Sequence, residues 1–201
     1  MDEKLALEEL QFIRKVIEDT KKSAVYNGMD YIFWGVLVIL GMMSSYIFHI
    51  NNIHFNYGLI WAILIPIGWF FSFYNAYRKK SLHKNARTFA SKIIGAVWGA
   101  TGFGMTIIGF LGPILGKMDG IYISPILSIM MGGAYFVTGV IVKSKWTAYL
   151  SIGWWIGGII LFTVHNINQF LIMSAMMLFF QTIPGIIFYR KYKLEVQKNC
   201  E

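Results

Sequence analysis

The chain has 201 residues, of which 56% are hydrophobic, 17% aromatic and only 14% charged, with a formal net charge of +8. Soluble domains carry roughly 25% charged residues, so this composition excludes an ordinary water-facing globule; the fitting solvent is a lipid bilayer. A nucleic-acid binder is excluded as well, because the basic residues fall in short clusters between long apolar runs and not on a polar basic face.

The first stretch differs from the rest. Six of the ten acidic residues lie in it: Asp2, Glu3, Glu8, Glu9, Glu18 and Asp19. Ala6, Leu10, Ile13, Ile17 and Ala24 recur at intervals of three and four, with Leu5, Phe12 and Val16 widening the stripe. The spacing predicts an amphipathic helix of about 20 residues within a cytoplasmic segment 1–27. Glu18 and Lys22 form a favourable pair one turn apart. The seam of Leu10, Ile13 and Ile17 suits helix pairing, lying on the inner leaflet, or packing on the protein's own cytoplasmic links. No secretory signal is expected, since no apolar core or cleavage site opens the chain.

Six apolar stretches follow, at about 30–49, 57–77, 89–112, 121–142, 147–165 and 168–190. Each is long enough to cross the hydrocarbon core as a helix, and helices satisfy their own backbone in lipid. The basic residues test this division. Lys4, Arg14, Lys15, Lys21 and Lys22 precede the first stretch. Arg78, Lys79, Lys80, Lys84, Arg87 and Lys92 cluster between the second and third, Lys143 and Lys145 between the fourth and fifth, and Arg190, Lys191, Lys193 and Lys198 follow the sixth. That places 17 of 18 on one side, with only Lys117 opposite. By the positive-inside rule both termini are cytoplasmic, and the protein is expected to be multi-pass in the cell (inner) membrane. The expected fold is all-α: six transmembrane helices in three antiparallel hairpins over residues 28–190, with a cytoplasmic tail 191–201. Trp34-Gly35, Trp98-Gly99 and Gly153-Trp154 recur once per hairpin and suggest a weak internal repeat.

Within the spans, Gly95 and Gly99, and Gly153 and Gly157, have the four-residue spacing that lets helix backbones approach. Pro66 and Pro184 are expected to bend their helices, with Gln181 and Thr182 close by to serve the freed carbonyls or mark a polar seam. No span carries Asp, Glu, Lys or Arg near its middle, which argues against a carrier built on intramembrane carboxylates. On the outer side, His49, Asn51, Asn52, His54 and Asn56 form one polar group, and His165, Asn166, Asn168 and Gln169 another. His49, His54 and His165 can ligate zinc or copper, titrate as a sensor, or serve as plain interfacial residues. Met42-Met43, Met130-Met131 and Met176-Met177 read as packing, because adjacent side chains on a helix diverge by about 100°. The lone Cys200 makes neither a disulfide nor a metal cage. No catalytic motif or cofactor site is found.

Glu8-Glu9-Leu10-Gln11-Phe12-Ile13-Arg14-Lys15 and Tyr31-Ile32-Phe33-Trp34-Gly35 resemble a group of uncharacterised small bacterial membrane proteins with a charged lead helix. The hairpin layout is loosely similar to acid-resistance membrane proteins of the HdeD type. Neither resemblance implies a catalytic residue. The functional expectation is a non-enzymatic membrane protein acting through association, as a stress-response, regulatory or scaffold subunit. Its partners would be the lipid bilayer and a second copy or another membrane protein. The alternative is a small-solute or ion transporter or channel.

Overall fold

The computed structural model describes residues 28–82 and 89–198. The expected lead helix, with Leu10, Ile13 and Ile17, lies outside the described residues. Six helices are long and apolar enough to cross a membrane, and they coincide with the six apolar stretches. They are α1 (Gly28–Ile50), α2 (Tyr57–Leu82), α3 (Phe89–Thr106, continuing through Ile107–Leu111 and Gly112–Ile114), α4 (Ile123–Ile141), α5 (Lys145–Thr163) and α6 (Asn168–Met176, continuing through Met177–Thr182 into Ile183–Lys198). No strand occurs among the described residues.

Three of the helix ends are built alike. After α1, Ile53 N–H donates to Phe48 C=O and Asn52 N–H to His49 C=O, with Asn52 at φ 54°. After α3, Lys117 N–H reaches Gly112 C=O and Gly116 N–H reaches Pro113 C=O, with Gly116 at φ 63°. After α4, Ser144 N–H reaches Gly139 C=O and Lys143 N–H reaches Val140 C=O, with Lys143 at φ 52°. These are Schellman closures, in which one left-handed residue turns the chain back on the last carbonyls. Asn and Gly take that conformation readily, whereas Lys143 adopts it at a steric cost. Asn56 then caps α2 by accepting from Gly58 N–H at 2.9 Å, and the Ser144 hydroxyl caps α5 from Thr147 N–H at 3.4 Å.

Two helices widen into π-segments, Ile107–Leu111 in α3 and Met177–Thr182 in α6. Each is followed within two residues by a proline, Pro113 and Pro184. A proline ring clashes with the carbonyl four residues earlier and leaves it without a donor; a wider turn relieves both. Thr182 adds a bond of its own, donating to Met177 C=O at 3.1 Å. Pro66 sits inside α2 without a π-segment, and Pro125 lies in the first turn of α4, where no intrahelical donor is lost.

The most extensive packing is between α4 and α5 and between α1 and all three segments of α6. It does not follow the three expected hairpins. Both pairs meet at glycines. A Cβ added to Gly28 would lie 2.6 Å from Tyr189 N, and one on Gly185 would lie 2.8 Å from Tyr31 Cβ and 2.9 Å from Ile32 N. A Cβ on Gly139 would lie 2.5 Å from Ala148 N. Such backbone contact replaces the hydrophobic drive that lipid cannot supply. By contrast, α2 and α3 are hardly buried.

Consecutive helices are also tied by hydrogen bonds. Trp34 Nε1 donates to Ser72 Oγ at 2.8 Å (α1 to α2), Trp69 Nε1 to Thr106 Oγ1 at 3.1 Å (α2 to α3) and Trp98 Nε1 to Thr138 Oγ1 at 3.1 Å (α3 to α4). The Ser128 hydroxyl donates to Trp154 C=O at 2.6 Å, joining α4 to α5. Gln169 Nε2 donates to Leu161 C=O at 3.0 Å and Val164 C=O at 2.6 Å, so the start of α6 closes the end of α5. An indole facing a hydroxyl satisfies two polar groups that hydrocarbon would leave bare.

Candidate functional site

The centre of the protein is a layer of aromatic rings around one amide. Tyr135 of α4 and Trp154 of α5 are fully buried, and Tyr31 of α1 nearly so. Tyr31 meets Trp98 edge-on at 5.1 Å between ring centroids and Tyr135 at 5.6 Å. Trp98 in turn meets Tyr135 at 5.3 Å. Trp154 stacks on Tyr135 at 6.1 Å and meets Phe180 edge-on at 6.0 Å. Met131, Met173, Met176 and Met177 fill the gaps between these rings, as flexible thioethers do.

The Tyr135 hydroxyl donates a short hydrogen bond to Gln181 Oε1, and Gln181 itself is buried in the α6 π-segment. Gly35 of α1 lies against the Thr182 hydroxyl and the Gln181 stem. One indole is left over: Trp154 Nε1 is buried and has no acceptor among the described residues. Every polar group in this layer is neutral, and its ionisable members are tyrosines. It contains no nucleophile beside a base and no carboxylate to carry a cation. Chemically it can set the rotation and depth of five helices, each contributing a side chain or a glycine.

The residues singled out by sequence fall in several places. Gly153 lies against the Phe180 ring and Gly157 against Met176, both at the α5–α6 contact. A Cβ on Gly95 or Gly99 would meet nothing within 4 Å among the described residues. Pro184 follows the π-segment that carries Gln181, whereas Pro66 lies on the exposed side of α2. His49 and His54 line a shallow cavity of about 500 Å³ in the α1–α2 link, and His165 in the α5–α6 link is not part of its lining. No three of His, Cys, Asp and Glu come together as a metal cage among the described residues. Asp30 accepts from Asn75 Nδ2 at 2.8 Å, tying the same ends of α1 and α2.

Sequence reasoning flagged Gln181 and Thr182 but missed their partners Tyr135 and Gly35. It also missed Gly28, Gly139 and Gly185, whose spacing carries no repeated motif. A proline follows each π-segment within two residues, but Pro66 lies inside α2 without one, so proline alone does not mark them. No family model, curated protein or solved structure matches the chain.

Proposed function

We propose that this is a non-enzymatic protein of the cell (inner) membrane that acts by associating with a second copy of itself or with another membrane protein. In this reading both termini are cytoplasmic, the six spans form three hairpins by connectivity, and residues 1–27 supply an amphipathic helix on the same side. A regulatory, scaffold or stress-response subunit fits such a plan.

One observation carries the proposal. A Cβ added at Gly95 or Gly99 of α3 would meet nothing within 4 Å among the described residues, on one of the two helices that are hardly buried. Small residues at this spacing are the usual means of close helix approach in a bilayer. The rings of Tyr31, Trp98, Tyr135 and Trp154, packed against one another at the centre, favour association over the permeation reading.

The test is oligomeric size in mild detergent, by light scattering on the eluting protein, together with recovery of co-purifying membrane proteins. The wild type should run as an assembly, and the double variant Gly95→Leu/Gly99→Leu should shift to a single chain. A wild type that is a single chain with no companion would refute the proposal. Saturable solute or ion flux into liposomes would move the assignment to the permeation alternative.

A further inference from the structure

We propose that the α1–α2 link is a binding site for a divalent metal ion that prefers imidazole, of the zinc or copper(II) class, with His49 and His54 as its protein ligands. The argument starts from how the two rings are held. His54 Nδ1 lies 3.0 Å from Asn52 C=O. A carbonyl only accepts, so Nδ1 carries the proton and the lone pair resides on Nε2. Asn52 N–H is in turn bonded to His49 C=O at 3.0 Å. The two imidazoles therefore hang from neighbouring points of one turn, and both line the same open cavity with Asn52, Asn56 and Tyr57. His49 Nδ1 meets the Tyr57 hydroxyl at 3.3 Å. An imidazole steadied through one nitrogen and open at the other is the arrangement that metal-binding histidines adopt.

The turn is built to hold that geometry. Asn52 occupies the left-handed position of the α1 closure. Asn51 Nδ2 donates back to Ile47 C=O at 2.8 Å, and Asn56 caps α2. Phe48 and Phe55 pack edge-on at 5.4 Å beneath the loop. Tyr57 is also wedged against Phe170 of α6 at 6.3 Å, so one helix end is fixed by another. The chemistry of the donors selects the ion. Between Asp30 and Asp119 the chain has no carboxylate, which disfavours magnesium and calcium, while neutral imidazoles suit zinc and copper. Two protein ligands leave the remaining positions to water or an outside ligand, so this is an exchangeable site and not a structural cage.

The test is calorimetric titration of the purified protein with zinc alone near neutral pH, with quenching of tryptophan fluorescence during copper(II) titration as a second readout, Trp61 lying one turn beyond Tyr57. One saturable site per chain is expected. His49→Ala and His54→Ala should each weaken it about tenfold or more, and His165→Ala should leave it unchanged. Tyr57→Phe, which removes only the outer partner of His49, should weaken binding by about tenfold. Absence of saturable binding overturns the proposal, as does binding that survives both histidine variants. Circular dichroism of each variant separates loss of ligand from loss of fold. None of these outcomes depends on oligomeric size.

Discussion

Gly185→Ala is the sharpest probe of the α1–α6 contact. The new methyl would sit 2.8 Å from Tyr31 Cβ and 2.9 Å from Ile32 N. Both atoms belong to or adjoin the α1 backbone, so no rotamer change relieves the clash and the two helices must separate. Overpacking of this kind costs about 1–3 kcal/mol. Alanine also favours a helix interior over glycine by up to about 1 kcal/mol in water, which works in the opposite direction. The net expectation is destabilisation of about 1–2 kcal/mol. Gly133→Ala in α4 is the internal comparison: it gains the same propensity and meets nothing within 4 Å among the described residues, so it should be neutral or slightly stabilising. The assay is thermal unfolding in mild detergent followed by intrinsic fluorescence, with reversible denaturant titration for the free energy. If Gly185→Ala were as stable as Gly133→Ala, the assigned packing of α1 on α6 would be wrong.

Other outcomes follow from the buried polar contacts and the helix ends. Gln181→Leu should leave the Tyr135 hydroxyl buried without a partner and cost about 1–3 kcal/mol. Adding Tyr135→Phe should recover part of that loss, and a double-mutant cycle should give a coupling of about 0.6–1.7 kcal/mol; strict additivity would show that the two groups do not interact. Lys143→Gly removes the steric cost of a left-handed lysine and should raise stability by about 1 kcal/mol, measured as a higher unfolding midpoint. Gln169→Leu strips the donor from Leu161 C=O and Val164 C=O. It should cost about 1–2 kcal/mol and speed proteolysis within the α5–α6 link.

The six spans were legible because two independent signals agreed, apolar length and the sorting of the basic residues. Packing was less so. A four-residue glycine spacing shows that one helix has a small face, but not which helix meets it. Gly153 and Gly157 face Phe180 and Met176, while Gly95 and Gly99 face nothing among the described residues. The closest approaches use Gly28, Gly139 and Gly185, single glycines whose partners lie far away in sequence. The π-segments were hidden because an apolar run reads the same at either helix pitch. Buried polar residues fared better, since Gln181 stands out in a hydrophobic span, although a sequence gives no means of pairing it with Tyr135 across 46 residues. In the α1–α2 and α5–α6 links the histidines were visible, but which of them share a cavity depends on the turn at Asn52.

The widened turn in α6 fixes an angular relationship along that helix. One residue more or less changes the heading of everything downstream by about 100°. The segments before and after Met177–Thr182 both face α1, so the extra residue keeps Gly185 and Phe188, whose ring meets Tyr31 edge-on at 5.8 Å, in phase with the first half of α6. Deleting a single residue there would restore ordinary helical pitch and swing those side chains more than a quarter turn away from Tyr31. Length at this point is therefore constrained more tightly than identity: Met177–Thr182 should accept a change of side chain more readily than a change in residue number.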